Sequence, residues 1–288
     1  MPEKENFLKN LQIKAISPPS ALQPYIDNYY VYGNSADSPR ETFFRALPNG
    51  RVELFFLFNG SKIVCQDKKN KQSLSAFLAG IFELTYPMKI KIETNERKFR
   101  GISILFTHMG VNQLLGIKLH EVTNRLIDLH SLKDRKLYSQ YESISEIEEE
   151  KLRFENINAF FLNQLNNKTN QNQRIIPVLN HLEKMRGLLS VERLASELRI
   201  SYKSLYRMFI DEMGMSPKMY LKIIRFNRAC SLLDYGSKPD ITEIIYQCGY
   251  YDQSHLVREF KSIMKASPKH YLHSHRGKFY FNRAYAII

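Results

Sequence analysis

SYKSLYRMFIDEMGMSPKMYL, residues 201–221, is answered 51 positions later by DQSHLVREFKSIMKASPKHYL, residues 252–272. Leu205, Arg207, Phe209, Ser216, Pro217, Lys218, Tyr220 and Leu221 recur as Leu256, Arg258, Phe260, Ser267, Pro268, Lys269, Tyr271 and Leu272. Each copy reads as a short helix, a tight turn, a second helix and a Ser-Pro-Lys-x-Tyr-Leu segment. Two basic helix-turn-helix units at a fixed separation fit double-stranded DNA better than any other partner.

Local signals mark the helices around this repeat. Gly187 ends a helix over Ile175–Arg186, and Ser190 is an N-cap for Val191–Leu198. Ser201 caps a helix to Glu212 that Gly214 stops. Ser216-Pro217 opens a long helix to Asp234, with proline at a tolerated first-turn position. Asp240 caps Ile241–Cys248, Gly249 turns the chain, and Asp252 caps a helix to Met264. A last helix begins at Ser267-Pro268.

At about 100° per residue, Leu205, Met208 and Phe209 share an inward face, and Lys203 and Arg207 project opposite, flanked by Tyr206. In the second copy Leu256 and Phe260 point inward. Ser254 and Arg258 point outward, between Gln253, His255 and Val257. Arginine bonds guanine bidentately and glutamine does the same for adenine, while Ser, Tyr, His and Lys reach bases or phosphates. An equally physical alternative is that Arg207 and Arg258 brace the fold or touch phosphates alone. The helix from Pro217 to Asp234 would be ~27 Å long, which with its flanking elements matches the ~34 Å of one DNA turn.

Charge supports a polyanionic partner. The chain of 288 residues carries a formal +13, and residues 171–288 hold 19 Lys/Arg against 10 Asp/Glu, a balance of +9. Cys65, Cys230 and Cys248 are too few for a disulfide framework or a thiolate zinc module, so a reducing compartment is expected. The N-terminus lacks the apolar core of a signal peptide, and the longest apolar runs are strand-length. We therefore expect a cytoplasmic protein with no membrane segment.

The first half reads as strands: Thr42–Leu47, Val52–Phe58, Lys62–Cys65, Ala76–Phe82, Lys89–Ile92 and Arg100–Phe106, separated by Pro48-Asn49-Gly50, Asn59-Gly60 and a charged loop. Their spacing suggests a small barrel or sandwich. Phe55, Leu57, Phe77, Phe82 and Ile104 either line a pocket or fill a closed core. An amphipathic helix is expected over Glu146–Leu165. Its Ile147, Phe154, Phe161 stripe would pack on its own domain or on a second subunit, giving a homodimer. The polar stretch Asn166–Gln173 is the clearest linker.

Enzyme readings find little support. His270, His273 and His275 straddle a helix end without Cys or carboxylate neighbours, so no metal site is expected. The Glu146, Glu148, Glu149, Glu150 run is a solvated helix start, and there is no glycine-rich phosphate loop. No cofactor is expected.

Residues 190–273 resemble the DNA-binding domain of the AraC/XylS-type transcription regulators. The resemblance is carried by Leu194-Ala195, Ser201, Leu205, Arg207, Phe209, Gly214, Ser216-Pro217, Tyr220, Arg225, Ala229, Leu232-Leu233, Glu243-Ile244, Gly249-Tyr250, Gln253-Ser254, Arg258, Phe260-Lys261, Ser267-Pro268 and Tyr271. It implies DNA-facing roles for Lys203, Tyr206 and Arg207, and for Ser254, His255 and Arg258; Gln253 joins them by its position. Ile245 stands where the pattern usually has Ala, and Leu256 where it often has Phe. The N-terminal half is similar to the cupin-like sensor domain of one branch of these regulators, through Pro18-Pro19-x-x-Leu22-x-Pro24-Tyr25, Tyr29-Tyr30, Leu47-Pro48-Asn49-Gly50-x-x-Glu53-Leu54 and the strand Gly101–Phe106.

The expected fold is α+β. A β-rich, cupin-like sensing and dimerisation domain with trailing helices (1–165) precedes a linker (166–173). An all-α domain of two helix-turn-helix units joined by a long helix (174–276) and a tail (277–288) follow. The resemblance implies a non-enzymatic, sequence-specific regulator with a promoter as partner, a small-molecule effector on the first domain, and RNA polymerase as a further partner. The ligand-binding residues are unknown. The competing reading is a nucleoid-type architectural DNA-binding protein without a ligand.

Overall fold

The computed structural model describes residues 12–33, 41–66, 71–92, 100–166, 174–234 and 240–274. The chain divides into two compact units. One comprises Met1–Phe44, Arg51–Gly80 and Pro87–Asn172, and the other Arg45–Gly50, Ile81–Tyr86 and Gln173–Ile288. The expected linker lies outside the described residues except for Asn166, and the expected tail lies wholly outside them.

Among the described residues, the first part of the chain builds ten strands: β1 (Gln12–Ile16), β2 (Ile26–Gly33), β3 (Glu41–Ala46), β4 (Val52–Phe58), β5 (Ser61–Gln66), β6 (Lys71–Leu74), β7 (Ala76–Ala79), β8 (Tyr86–Ile92), β9 (Arg100–Phe106) and β10 (Leu126–Asp128). They form a six-stranded sheet, β1-β2-β9-β4-β7-β10, and a four-stranded sheet, β3-β8-β5-β6. The β2–β9, β9–β4 and β4–β7 pairs at the centre of the larger sheet are antiparallel. All seven residues of β4, VELFFLF, are buried, which is why that strand reads as a continuous apolar run rather than an alternation.

Register decides which side chains share a face. Leu54 sits opposite Ile104 and Phe55 opposite Ser103, with Ile104 in turn opposite Tyr29. The Tyr29–Ile104–Leu54 face carries two helices, α1 (Lys136–Ser145) and α2 (Glu150–Asn166). Tyr29 meets Phe154 at 5.4 Å and donates to Asn158 Oδ1 at 2.7 Å, while Phe106 meets Phe161 edge-on at 5.6 Å. Tyr141 of α1 lies over Phe56 and donates to the Leu57 carbonyl at 2.9 Å.

This packing alters three expectations. Phe154 and Phe161 are buried against their own sheet, so the stripe is not a free dimer surface. The helix starts at Glu150, and Ile147 belongs to the preceding turn, its N–H bonding the Ile144 carbonyl at 3.3 Å. Ile104 lies on the helix-covered face, away from Phe55 and Phe77, which stack at 4.8 Å on the other face. Phe82 belongs to the segment counted with the helical unit.

On the Phe55 face the sheet buries a carboxylate. Glu53 is 1% exposed. Its Oε1 accepts from Ser103 Oγ and from Tyr32 OH at 3.4 Å, and Oε2 has no partner among the described residues. Burial pushes the Glu53 carboxyl up to about 7, against the lowering effect of those two hydrogen bonds.

The helical unit contains α3 (Ile175–Lys184), α4 (Val191–Glu197), α5 (Tyr202–Met213), α6 (Pro217–Asp234), α7 (Ile241–Cys248), α8 (Gln253–Met264) and α9 (Pro268–Ser274). The caps are those the sequence promised. Ser190, Ser201, Asp240 and Asp252 side chains accept from backbone N–H groups in the first turns, and Gly214 and Gly249 adopt the left-handed conformation at helix ends. The core of the second half gathers Phe226, Ile244, Leu256, Phe260 and Tyr271, with Leu47 from the segment Arg45–Gly50. Cys230 and Cys248 lie in it as apolar residues, and burial raises the Cys248 thiol to about 11. No helix among the described residues is long and apolar enough to cross a membrane.

The buried carboxyl makes a test of the β-rich unit. The folded state holds the Glu53 proton up to about pH 7, whereas in the unfolded chain the carboxyl has its ordinary value of 4.5. Its contribution should therefore improve as pH falls from about 8 to about 4.5, by roughly 3 kcal/mol. Urea melts of wild type and Glu53→Gln across this range should diverge accordingly, the variant lacking the dependence. Parallel pH profiles would mean that the carboxyl titrates normally.

Candidate nucleic-acid interface

The repeat seen in the sequence is also a repeat in space. Tyr220 donates to Glu183 Oε1 at 2.8 Å and packs on Phe209 at 6.2 Å. Its counterpart Tyr271 donates to Asp234 Oδ2 at 2.8 Å and packs on Phe260 at 5.6 Å. All three positions, carboxylate, Phe and Tyr, recur 51 residues apart. The duplicated unit thus includes the helix before each helix-turn-helix, α3 in one and α6 in the other. Both tyrosines are 0% exposed, so each hydroxyl needs the partner it has.

The two turns differ by one residue. In the first, Ile200 N–H bonds Ala195 O and Arg199 takes a positive φ of 54°. In the second, Tyr250 N–H bonds Ile245 O and Gly249 takes φ 70°, an offset of 50. The helices that follow return to an offset of 51, with Leu205 N–H on Ser201 O and Leu256 N–H on Asp252 O. The extra residue is Tyr251, 91% exposed.

On α5, Leu205, Phe209 and Met213 are buried while Lys203, Tyr206 and Arg207 are exposed. Met208 is half-buried. Tyr202, absent from the sequence-based assignment, is also exposed and stacks on Tyr206 at 6.5 Å. On α8, Leu256 and Phe260 are buried, Gln253, Ser254 and Arg258 are exposed, and His255 and Val257 are half-buried. The outward pair Arg207 and Arg258 therefore occupies equivalent exposed places on two equivalent helices.

His255 is differently placed from its neighbours. Its Nδ1 accepts from the Tyr251 N–H at 3.2 Å, and its Nε2 lies 3.3 Å from Glu259 Oε1. Glu259 is held in turn by Arg225 of α6, through Nη2 at 2.7 Å and Nε at 3.2 Å. Helix periodicity gives no hint of this group. It joins residues 34 apart, and Glu259 follows Arg258 as one more charge on an exposed-looking stretch.

Residues 194–274 match the family model described as a helix-turn-helix domain. Over 78 residues the chain is 30% identical to the HTH-type transcriptional activator RhaS of Escherichia coli (strain K12 / DH10B), a match covering 27% of this chain and 28% of that protein. The helical unit is an AraC/XylS-type double helix-turn-helix domain. The chain thus spans less than a third of the length of these curated relatives. Residues 14–128 match the model described as Domain of unknown function (DUF6597). Among solved structures, similarity extends to ToxT from Vibrio cholerae, with TM-score 0.46 and 15% identity over 92% of this chain and 98% of that one. It also extends to the C-terminal domain of AraT, a response regulator from Geobacillus stearothermophilus, with TM-score 0.32 and 30% identity over 35% of this chain and 88% of that one.

In the AraC-type domain the outward arginines sit away from the core, which separates their effects from folding. Arg207→Ala and Arg258→Ala should each leave the thermal midpoint nearly unchanged, within about 0.5 kcal/mol of stability. Each should weaken binding to a specific duplex by about 1–3 kcal/mol, at a different half of the site. Paired melts and titrations check both. Undiminished affinity in both variants would remove these residues from the reading face.

Proposed function

We propose that this chain is a sequence-specific, promoter-binding transcription regulator in which α5 and α8 enter successive major grooves of one duplex. Lys203, Tyr206 and Arg207 read one half-site, and Gln253, Ser254 and Arg258 the other. The observation that carries this is the recurrence of an exposed arginine at the same place on two capped helices, inside the basic part of the chain. The helix between them, α6, has 18 residues and so a length of ~27 Å. With the width of its neighbours, this spacing suits grooves ~34 Å apart, with some bending of the DNA.

In this reading residues 1–165 sense and dimerise, residues 166–173 link, and residues 174–276 bind DNA. A small molecule or partner acting on the β-rich part controls affinity for the promoter, and RNA polymerase is the downstream partner. The regulator works in the cytoplasm, as a homodimer where the operator is doubled, and catalyses no reaction.

Selection from a random duplex library with the full chain tests this. The expected outcome is enrichment of one sequence with two conserved blocks about 10 base pairs apart, together with affinity that falls steeply with salt. Salt-dependent binding with no enriched sequence would contradict the proposal and favour an architectural protein.

A further inference from the structure

The second reading helix is tied down in a way the first is not. The Arg225 and Glu259 side chains are only 14% and 13% exposed and meet as a two-pronged pair between α6 and α8. Such a pair is screened far less than a surface ion pair, and its fork geometry fixes direction as well as distance. His255, one turn before Glu259, extends the connection. Its Nε2 faces Glu259 while Nδ1 accepts the N–H of Tyr251, the extra residue of the second turn. The His255 N–H completes the Asp252 cap at 2.6 Å, and the Tyr250 ring stands edge-on to the imidazole at 5.4 Å.

An imidazole that accepts at Nδ1 carries its proton on Nε2, where it faces a carboxylate. Both ring nitrogens are then occupied within the protein, leaving neither for a base. In the first unit the positions 51 earlier are Arg174, Ser204 and Met208. Ser204 bonds the Ser201 cap, and Arg174 lies 3.7 Å from Glu212. Met208 offers no charge, so this three-residue connection has no counterpart there.

We infer that Arg225, Glu259 and His255 form a brace that sets the pitch of the second reading helix against the linking helix, and that His255 is a positioning residue for Gln253, Ser254 and Arg258, not a reader of bases. The inference rests on the DNA-reading assignment of the AraC-type domain. What it adds is that the two half-sites are held differently. The first helix is set by core packing, its cap and, at its far end, Glu212, which accepts from the Ile175 N–H at 3.0 Å; the second has a largely buried charged tie to the linking helix near its reading residues.

The full chain and the duplex it selects provide the test. His255→Ala should weaken binding about tenfold, by a similar factor for every base-pair change in the second half-site, with protection of the first half-site unchanged. A general loss of folding would reduce both halves. His255→Gln should restore most of the affinity, because its amide oxygen can accept the Tyr251 N–H and its amide nitrogen can donate to Glu259. His255→Ala combined with Glu259→Ala should cost little more than either alone.

Nitrogen-15 NMR of the DNA-free chain gives an independent readout. It should show the imidazole protonated on Nε2, and a Tyr251 amide whose exchange is slow in wild type and His255→Gln but fast in His255→Ala. Relaxed preference at one base pair in His255→Ala, unmatched in Glu259→Ala, would overturn the inference. So would a proton on Nδ1. Wild type selecting no sequence while these NMR signatures hold would instead defeat the DNA-reading assignment and leave the brace standing.

Discussion

The helical unit depends on one contact made twice: a buried tyrosine that lies on a phenylalanine of the reading helix and donates to a carboxylate 37 residues before it. Tyr220 and Tyr271 are fully buried, and a phenol that deep is tolerated because an acceptor waits for its hydroxyl. A charged acceptor makes the bond stronger than a neutral one. The consequence is geometric. Each tyrosine ties the helix after a helix-turn-helix to the helix before it and rests on the inward face of the reading helix between them. With Leu205 and Phe209, or Leu256 and Phe260, taken up inside, the opposite face of each reading helix must be the exposed one.

The duplication is close but not perfect, and its departures fall at the turns and on the reading helices. Ser201 caps one and Asp252 the other; Arg199 makes one turn in a left-handed conformation that Gly249 supplies more easily in the other. Tyr251 lengthens the second turn by one residue, and His255 holds that residue's N–H. Two copies of one scaffold thus present different side chains in differently secured frames. That combination suits a site with two unlike halves.

Much of the helical architecture was legible because capping is local chemistry. Pro217–Asp234, Ile241–Cys248 and a helix from Asp252 to Met264 follow from residues adjacent to their ends. Among the strands, Val52–Phe58 and Arg100–Phe106 were equally plain, being buried on both faces. The strands Gln12–Ile16 and Ile26–Gly33 were not. The first has no buried residue, and the second interleaves Asp27, Asn28 and five aromatic or β-branched residues without a clean period. Long-range partners were beyond any periodicity argument. Neither the Glu183 and Asp234 acceptors, nor the Arg225–Glu259 pair, nor the face on which Ile104 falls can be read without the pairing of distant segments. Outward arginines were visible because helix geometry alone fixes their direction. The engagement of His255 was invisible because it depends on a neighbouring helix.

As proposed, one chain carries two reading helices on the same face of one duplex. Hydroxyl-radical footprinting of the full chain on its selected duplex tests it most directly. Two protected patches about one helical turn apart, ~10 base pairs, on one side of the helix are the expected result. A single patch, or two patches on opposite sides of the duplex, would contradict it.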